Sequence, residues 1–263
     1  MYKLAVVGNP IDHSLSPVVF AEFAKQFQLN LEYIKIKAYE KNFKETIVEF
    51  FNKGGMALNI TSPFKQIAYE VADNATMRSR FTKSSNFLLL DKNHHIKADT
   101  TDGIGLVEDL HCNKHIELYQ KNILILGSGF VLDSILLDLI NANPTTIDIL
   151  ARNATRFEYL KAKFGVGRYD SNIEYDVVLN TSPNVEDNML FKQIFVLKNN
   201  MVCYDLSYSA TGQTLFLQTM WQVNNNIQLY DGLGMLVEQA KVAFIKLFDN
   251  IPDTKVVINS IRS

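Results

Sequence analysis

The sequence predicts an α/β protein made of two parallel-sheet units with a cleft between them. Short apolar runs alternate with amphipathic stretches along most of the 263 residues, which is typical of parallel strands covered by helices. The chain is 47% hydrophobic, enough for one large core or for two modest ones. A break in the pattern near residue 102 favours two units, and a cleft between such units is a common ligand site.

The first unit begins with strand-like apolar runs. These runs are Leu4–Val7, Leu31–Ile36 and Met56–Ile60. Amphipathic stretches between them predict helices at Pro17–Phe27 and Asn42–Asn52. Two further runs, Asn86–Leu90 and His95–Asp99, are separated by a short polar turn and predict a hairpin.

A second α/β series starts at Lys121. Its predicted strands are Ile123–Leu126, Ile147–Leu150, Asp176–Leu179, Val202–Leu206 and Gln228–Tyr230. Its predicted helices are Val131–Ile140, Arg156–Phe164 and Leu215–Gln222, followed by Gly234–Phe248 and Thr254–Ile261. We expect the last two helices to return to the first unit, so that residues 1–102 plus 232–263 form one domain and residues 103–231 the other.

Composition argues against several classes of partner. The formal net charge of −2 gives no electrostatic reason to expect nucleic acid or an anionic membrane. Apolar runs are strand-length or interrupted, and the N-terminus reads as a strand rather than a signal peptide. Cys112 and Cys203 have neither metal-like nor redox spacing, so we expect a reduced cytoplasmic protein without a metal. Separately, we expect a monomer or homodimer.

The strand Ile123–Leu126 leads into Gly127-Ser128-Gly129 and then a helix. In this context Gly127 permits a tight turn, and Gly129 lets the backbone approach a pyrophosphate at the helix N-terminus. The pattern is incomplete because its third small residue is Leu132. The run therefore indicates a Rossmann-like dinucleotide-binding domain or an ordinary strand-to-helix turn.

The tip of the next strand favours one dinucleotide over another. The strand Ile147–Leu150 is followed by Arg152, Asn153 and Arg156, where an NAD site usually has an acidic residue for the ribose hydroxyl. Cations suit a 2′-phosphate, so the sequence favours NADP over NAD. The alternative is that these arginines are solvated surface residues.

Polar segments in four places predict a small-molecule site. They are Gly8–Pro17, Asn59–Lys65, Thr100–Gly103 and Asp231–Ala240. In the first, Ser16 is predicted to be a helix N-cap with Pro17 as the first helical residue. Ser14 and Ser16 would then lie at a positive helix end that suits a carboxylate.

In these segments the chain resembles the shikimate dehydrogenase family, collinearly over nearly its whole length. The family's serine pair, Asn-Val-Thr-x-Pro-x-Lys run, Asn-Thr-Asp-Gly turn and Asn-Gly-Leu-Gly-Met-Leu-Val-x-Gln-Ala helix start all have counterparts here. Asn86 falls at the asparagine of the family's Ala-Val-Asn-Thr, and Tyr208 at the tyrosine that follows its Tyr-Asp strand. The resemblance implies an N-terminal α/β substrate domain beside the dinucleotide-binding domain.

The activity that the resemblance implies is the reversible NADPH-dependent reduction of 3-dehydroshikimate to shikimate, on the route to chorismate and the aromatic amino acids. Lys65 and Asp102 would be the catalytic acid–base pair. The substrate-binding residues would be Ser14, Ser16, Asn59, Thr61, Asn86, Tyr208 and Gln239. The cofactor-binding residues would be Gly127, Ser128, Gly129, Arg152, Asn153, Arg156 and Gly232.

Departures from the family pattern concentrate in the cofactor half. Leu132 replaces a small residue, Asp133 puts a negative charge in the first helical turn, and the segment Asn180–Asn184 is altered. We expect Asp133 to weaken pyrophosphate binding, unless it only complements the helix dipole. Two alternatives follow, a quinate/shikimate dehydrogenase that uses NAD and a cofactor-impaired paralogue that binds shikimate-like acids without catalysis.

Overall fold

A computed structural model describes residues 1–182 and 198–263, which form two compact units. Unit 1 comprises Met1–Gly105 and Val237–Val257, and unit 2 comprises Leu106–Leu236 and Ile258–Ser263. Pro183 and Asn184 of the altered segment lie outside the described residues. No helix in the described parts of the chain has the length and apolar character that crossing a membrane requires.

Unit 1 contains a mixed sheet. Its strands are β1 (Tyr2–Gly8), β2 (Leu31–Lys37), β3 (Ala57–Ile60), β4 (Asn74–Ala75), β5 (Phe87–Leu90) and β6 (Ile96–Asp99). They lie in the order β2-β1-β3-β5-β6-β4. The strands β2, β1 and β3 are parallel neighbours, whereas β5 runs antiparallel to both β3 and β6, as the predicted hairpin requires.

Helices pack on this sheet through apolar faces. The helices are α1 (Ser16–Gln26), α2 (Phe43–Asn52), α3 (Lys65–Val71), α4 (Met77–Thr82), the start of α5 (Asp102–Glu108) and most of α9 (Leu233–Phe248). Phe20 and Phe23 of α1 are fully buried, and the ring centroid of Phe23 lies 5.4 Å from that of Phe244 in α9. This contact attaches the returning helix to the first half of the chain.

Unit 2 contains a parallel sheet. Its strands are β7 (Asn122–Leu126), β8 (Thr146–Leu150), β9 (Gly167–Arg168), β10 (Val177–Asn180), β11 (Val202–Asp205) and β12 (Gln228–Asp231). Their order, β9-β8-β7-β10-β11-β12, is that of a Rossmann fold, in which the order reverses between the first and fourth strands. The carboxyl ends of β7 and β10 form this switch point, so Gly127 and Thr181 lie where such sheets bind ligands.

The helices of unit 2 include α6 (Val131–Asn141), α7 (Ala154–Phe164) and α8 (Leu215–Val223), and α10 (Thr254–Arg262) ends the chain. The predicted α/β class with a Rossmann-like second unit is confirmed. The prediction that Ser16 is an N-cap is wrong, because Leu15 already has helical dihedrals and occupies the cap position, which makes Ser16 the first helical residue.

A buried carboxylate links α5, the sheet and α9 within unit 2. Asp109 follows α5 in a π-helical segment, Asp109–Asn113, and is fully buried. The hydroxyl of Tyr204 in β11 donates to Asp109 Oδ2 at 2.8 Å and accepts from the backbone N–H of Met235 at 3.3 Å. Burial raises the pKa of Tyr204 well above its usual value, and the Asp109 charge adds to this, so the phenol remains a donor.

We predict that Tyr204→Phe lowers the free energy of unfolding by about 1–3 kcal/mol, because the buried carboxylate of Asp109 loses a donor that water cannot replace. Urea unfolding of the parent and variant measures the difference. Tyr119→Phe is the matched control, since Tyr119 is 60% exposed and should show no change. Equal stability of the parent and Tyr204→Phe would contradict the structural role of this bond.

Candidate active site and dinucleotide loop

Lys65 and Asp102 form an ion pair in unit 1. Lys65 is the first residue of α3, shortly after β3, and Asp102 is the first residue of α5, shortly after β6. Lys65 Nζ donates to Asp102 Oδ2 at 2.7 Å, and the two side chains are 19% and 7% exposed. Partial burial strengthens the attraction between the charges, and the residual exposure leaves the ammonium accessible to a ligand.

The Asn86 amide fixes the other oxygen of this carboxylate. Asn86 Nδ2 lies 2.8 Å from Asp102 Oδ1, 2.9 Å from Thr101 Oγ1 and 3.1 Å from Gln239 Oε1. Asn86 Oδ1 accepts from the backbone N–H of Thr101 at 2.8 Å. The structure therefore brings together Lys65, Asn86, Asp102 and Gln239, and it adds Thr101, which the sequence did not single out as a site residue.

A second group in unit 1 connects Asn59 with Ser16 through Tyr33. The Tyr33 hydroxyl donates to Asn59 Oδ1 at 2.8 Å, and it also has a hydrogen bond with the Ser16 side chain. Burial raises the pKa of Tyr33 far above its usual value, although the bond with Ser16 acts in the opposite direction. Asn59 Nδ2 is buried and has no hydrogen-bond partner among the described residues, so this donor can serve a ligand.

Tyr33 was missed by sequence reasoning. The strand β2 alternates partly buried and exposed residues, and Tyr33 is one of the partly buried ones. That pattern predicts only that the Tyr33 side chain lies on the more buried face of the sheet. The serine loop follows β1, and β2 is the neighbour of β1 in the sheet. A tyrosine on β2 was therefore the only indication in the sequence that Tyr33 belongs to the site.

The serine pair lies at the N-terminal end of α1. Ser14 Oγ accepts from the backbone N–H of Ser16 at 3.3 Å, so Ser14 rather than Ser16 satisfies a free amide there. Thr61 follows β3, and its backbone N–H donates to the carbonyl of Val7 at 2.9 Å. These loops after β1 and β3 are therefore adjacent, as expected for the carboxyl ends of parallel neighbours.

Two of the predicted residues follow the strands β11 and β12 of unit 2. Tyr208 follows β11 and is partly buried. Gly232 lies between β12 and α9, and its backbone N–H donates to the carbonyl of Ser207 at 3.0 Å. A Cβ atom at Gly232 would collide with the carbonyl of Leu206, so this position accepts only glycine.

The glycine loop has the geometry of a close-approach site. Gly127 has φ +102°, and a Cβ atom there would lie 2.6 Å from Ser182 Oγ and 2.9 Å from Thr181 Oγ1. A Cβ atom at Gly129 would meet no heavy atom within 4 Å, so the space beside it is open. The loop can thus present backbone N–H groups to a phosphate in the way that a dinucleotide requires.

Asp133 does not have the free carboxylate that the sequence led us to expect. Its side chain is 1% exposed and forms ion pairs with Arg156 and with Lys163, the latter at 3.6 Å. Arg156 Nε also donates to the carbonyl of Ser128 at 3.2 Å. Leu132 is fully buried in the core of unit 2.

Arg152 and Asn153, which also follow β8, make different contacts from those of Arg156. Arg152 is exposed and makes no hydrogen bond or ion pair within residues 1–182 and 198–263. Asn153 caps α7, because its Oδ1 accepts from the backbone N–H of Arg156 at 2.9 Å. Arg152 is therefore the guanidinium at this tip that is available to a ligand.

A Rossmann-like sheet in one unit and a lysine–carboxylate pair in another α/β unit are typical of dehydrogenases that use a nicotinamide dinucleotide. A family model described as "Shikimate dehydrogenase substrate binding domain" matches residues 6–88. The chain is 37% identical to a protein of Legionella pneumophila named "Shikimate dehydrogenase (NADP(+))", over 99% of this chain and 98% of that one. A protein of the same name from Vesicomyosocius okutanii is 38% identical over the full length of both.

The structure is also similar to the crystal structure of a shikimate dehydrogenase from Aquifex aeolicus, with a TM-score of 0.88 at 24% identity, over 100% of this chain and 98% of that one. The chain belongs to the shikimate dehydrogenase family. The resemblance seen in the motifs is thereby confirmed, and the names of these relatives favour neither of the two alternatives.

We predict that Asn86→Asp lowers the free energy of unfolding by about 3 kcal/mol or more, because it removes the donor that faces three oxygens and places a carboxylate against Asp102. Chemical denaturation at neutral pH measures the loss. Asn93→Asp, in the exposed turn between β5 and β6, makes the same change in charge and should be nearly neutral. A loss no larger than that of the control would mean that the amide does not organise the site.

Proposed function

We propose that this chain catalyses the reversible reduction of 3-dehydroshikimate to shikimate with NADPH, as its relatives' names indicate, on the route to chorismate and the aromatic amino acids. The observation that carries the proposal is the Lys65–Asp102 pair, which the Asn86 amide orients. Residues 1–102 plus 232–263 would form the substrate domain and residues 103–231 the cofactor domain.

The bound NADPH supplies a hydride to the ketone carbon. Lys65 donates a proton to the ketone oxygen, which becomes the new hydroxyl, and it takes the proton back in the reverse direction. Asp102 Oδ2 holds the ammonium at 2.7 Å. Since Asp102 Oδ1 is bound to Asn86, the carboxylate cannot rotate freely, and the lysine stays in the orientation that proton transfer needs.

The substrate's polar groups match the remaining side chains. Ser14 and Ser16 bind the carboxylate at the N-terminal end of α1, where the helix dipole favours negative charge. The ring hydroxyls, and also this carboxylate, are bound by Asn59, Thr61, Asn86, Gln239 and Tyr208. The buried Nδ2 of Asn59 supports this assignment, since a donor without a protein partner gains a hydrogen bond when the substrate binds.

For the cofactor, the glycine loop fits a pyrophosphate and the strand tip fits a 2′-phosphate. The loop Gly127-Ser128-Gly129 follows β7 and has open space beside Gly129, and Arg152 is an available cation after β8. Gly232 and Asn153 complete the proposed set. Two separated cysteines, one exposed and one buried, agree with a cytoplasmic location, and we propose a monomer or homodimer.

We predict that Lys65→Ala lowers turnover by about 10²–10⁴-fold while shikimate still binds, and that Asp102→Asn has a similar effect. The double variant should lose little more than either single one, because the two residues act as a unit. Absorbance of the reduced nicotinamide, with shikimate and NADP, measures turnover. Lys92→Ala, an exposed lysine in a turn, is the control, and unchanged turnover in either active-site variant would remove the assignment.

We predict that Arg152→Ala weakens NADP binding by about tenfold or more and leaves NAD binding nearly unchanged, because only NADP carries the 2′-phosphate. Calorimetric titration with each dinucleotide measures both affinities. Lys161→Ala removes an exposed cation from α7 and controls for the general charge of the surface. Equal losses for both dinucleotides would mean that Arg152 acts through the structure of the loop.

A further inference from the structure

Arg156 is bound on several sides by its own protein. Its Nη2 is paired with Asp133, and its Nε donates to the carbonyl of Ser128 in the glycine loop. The guanidinium carbon also lies 5.2 Å from the ring centroid of Phe130 and 4.7 Å from that of Tyr159. With a side chain only 15% exposed, Arg156 has little capacity left for a ligand.

Asp133 is the residue that makes this arrangement possible. It lies in the first turn of α6 and is almost fully buried, so its carboxylate requires positive partners. Arg156, in the first turn of α7, and Lys163, about two turns further along the same helix, provide them. A buried carboxylate holds the planar guanidinium in a fixed position, and moving Arg156 to a phosphate would leave Asp133 with the more distant Lys163 alone.

We propose that Asp133 is a specificity-determining residue that withdraws Arg156 from the ribose 2′-phosphate, so that Arg152 alone recognises this group. Arg156 instead attaches the glycine loop to α7 through Ser128. The inference rests on the proposed use of NADP, and it assigns two arginines four residues apart to different tasks.

The geometry supports this division. Arg152 precedes α7 and is exposed, whereas Arg156 lies within the helix and contacts the rings of Phe130 and Tyr159. The bond from Arg156 Nε goes to a backbone carbonyl of the loop, a contact that is the same whichever dinucleotide is bound. Loss of Arg156 should therefore affect NADP and NAD alike, whereas loss of Arg152 should not.

The test uses adenosine 2′,5′-bisphosphate and adenosine 5′-monophosphate as probes, titrated by calorimetry at two salt concentrations. Asp133→Asn keeps the shape of the side chain and releases Arg156. We expect it to bind the bisphosphate about tenfold more tightly, with a steeper salt dependence and an unchanged affinity for the monophosphate. Adding Arg156→Ala to Asp133→Asn should abolish the gain.

Glu158→Gln, an exposed carboxylate on α7, removes the same charge without touching Arg156 and should leave the affinity ratio unchanged. Asp133→Ser provides a second variant should Asp133→Asn fold poorly, as followed by thermal unfolding. The proposal is overturned by weaker or unchanged bisphosphate binding in Asp133→Asn, or by a single Arg156→Ala variant that loses the ratio as Arg152→Ala does. Shikimate turnover by the parent is measured separately, so failure of the inference remains distinct from failure of the proposed function.

Discussion

The site in unit 1 depends on how one amide distributes its hydrogen bonds. Asn86 occupies Asp102 Oδ1 and so leaves Oδ2 to Lys65, while its own oxygen holds the backbone of Thr101, the residue before Asp102. The same amide reaches Gln239 on the returning helix. Because each of these groups is largely buried, losing one bond leaves a desolvated partner unsatisfied, and the cost exceeds that of a surface contact. The geometry of the Lys65–Asp102 ion pair is therefore a property of the whole hydrogen-bond network.

The longer strands and helices could be predicted because their buried positions are occupied by apolar residues at a regular spacing in the sequence. The strands β7 and β10 are mostly continuous apolar runs, and β8 is interrupted by Asp148. All three are largely buried, and their positions were predicted to within a residue or two. By contrast, β4 and β9 are two residues long and α4 only six, too short to show any period. The two short strands are formed by pairing with β6 and β8, which are distant from them in sequence.

The sequence predicted which residues belong to the candidate site where a family motif contained them. It did not predict which side chains these residues contact. Lys65 and Asp102 were paired in advance because the family motifs suggested it. Nothing in the strand containing Tyr33 indicates that its hydroxyl meets Asn59, 26 residues further on. The prediction of Ser16 as a cap was wrong because the helix starts one residue earlier than the preference of serine for caps suggests, with Leu15 at the cap position.

The ion pairs of Asp133 change the electrostatic effect that the sequence predicts for this residue. A bare carboxylate in the first turn of α6 would repel a pyrophosphate, but one carboxylate that faces two cations leaves a local excess of positive charge. Under the proposal made above, Asp133 does not repel the phosphate directly but keeps Arg156 from binding it. Under that proposal, Arg152 alone recognises the 2′-phosphate, and its exposed charge is strongly screened by salt. We therefore expect the preference for NADP over NAD to decrease as the ionic strength rises.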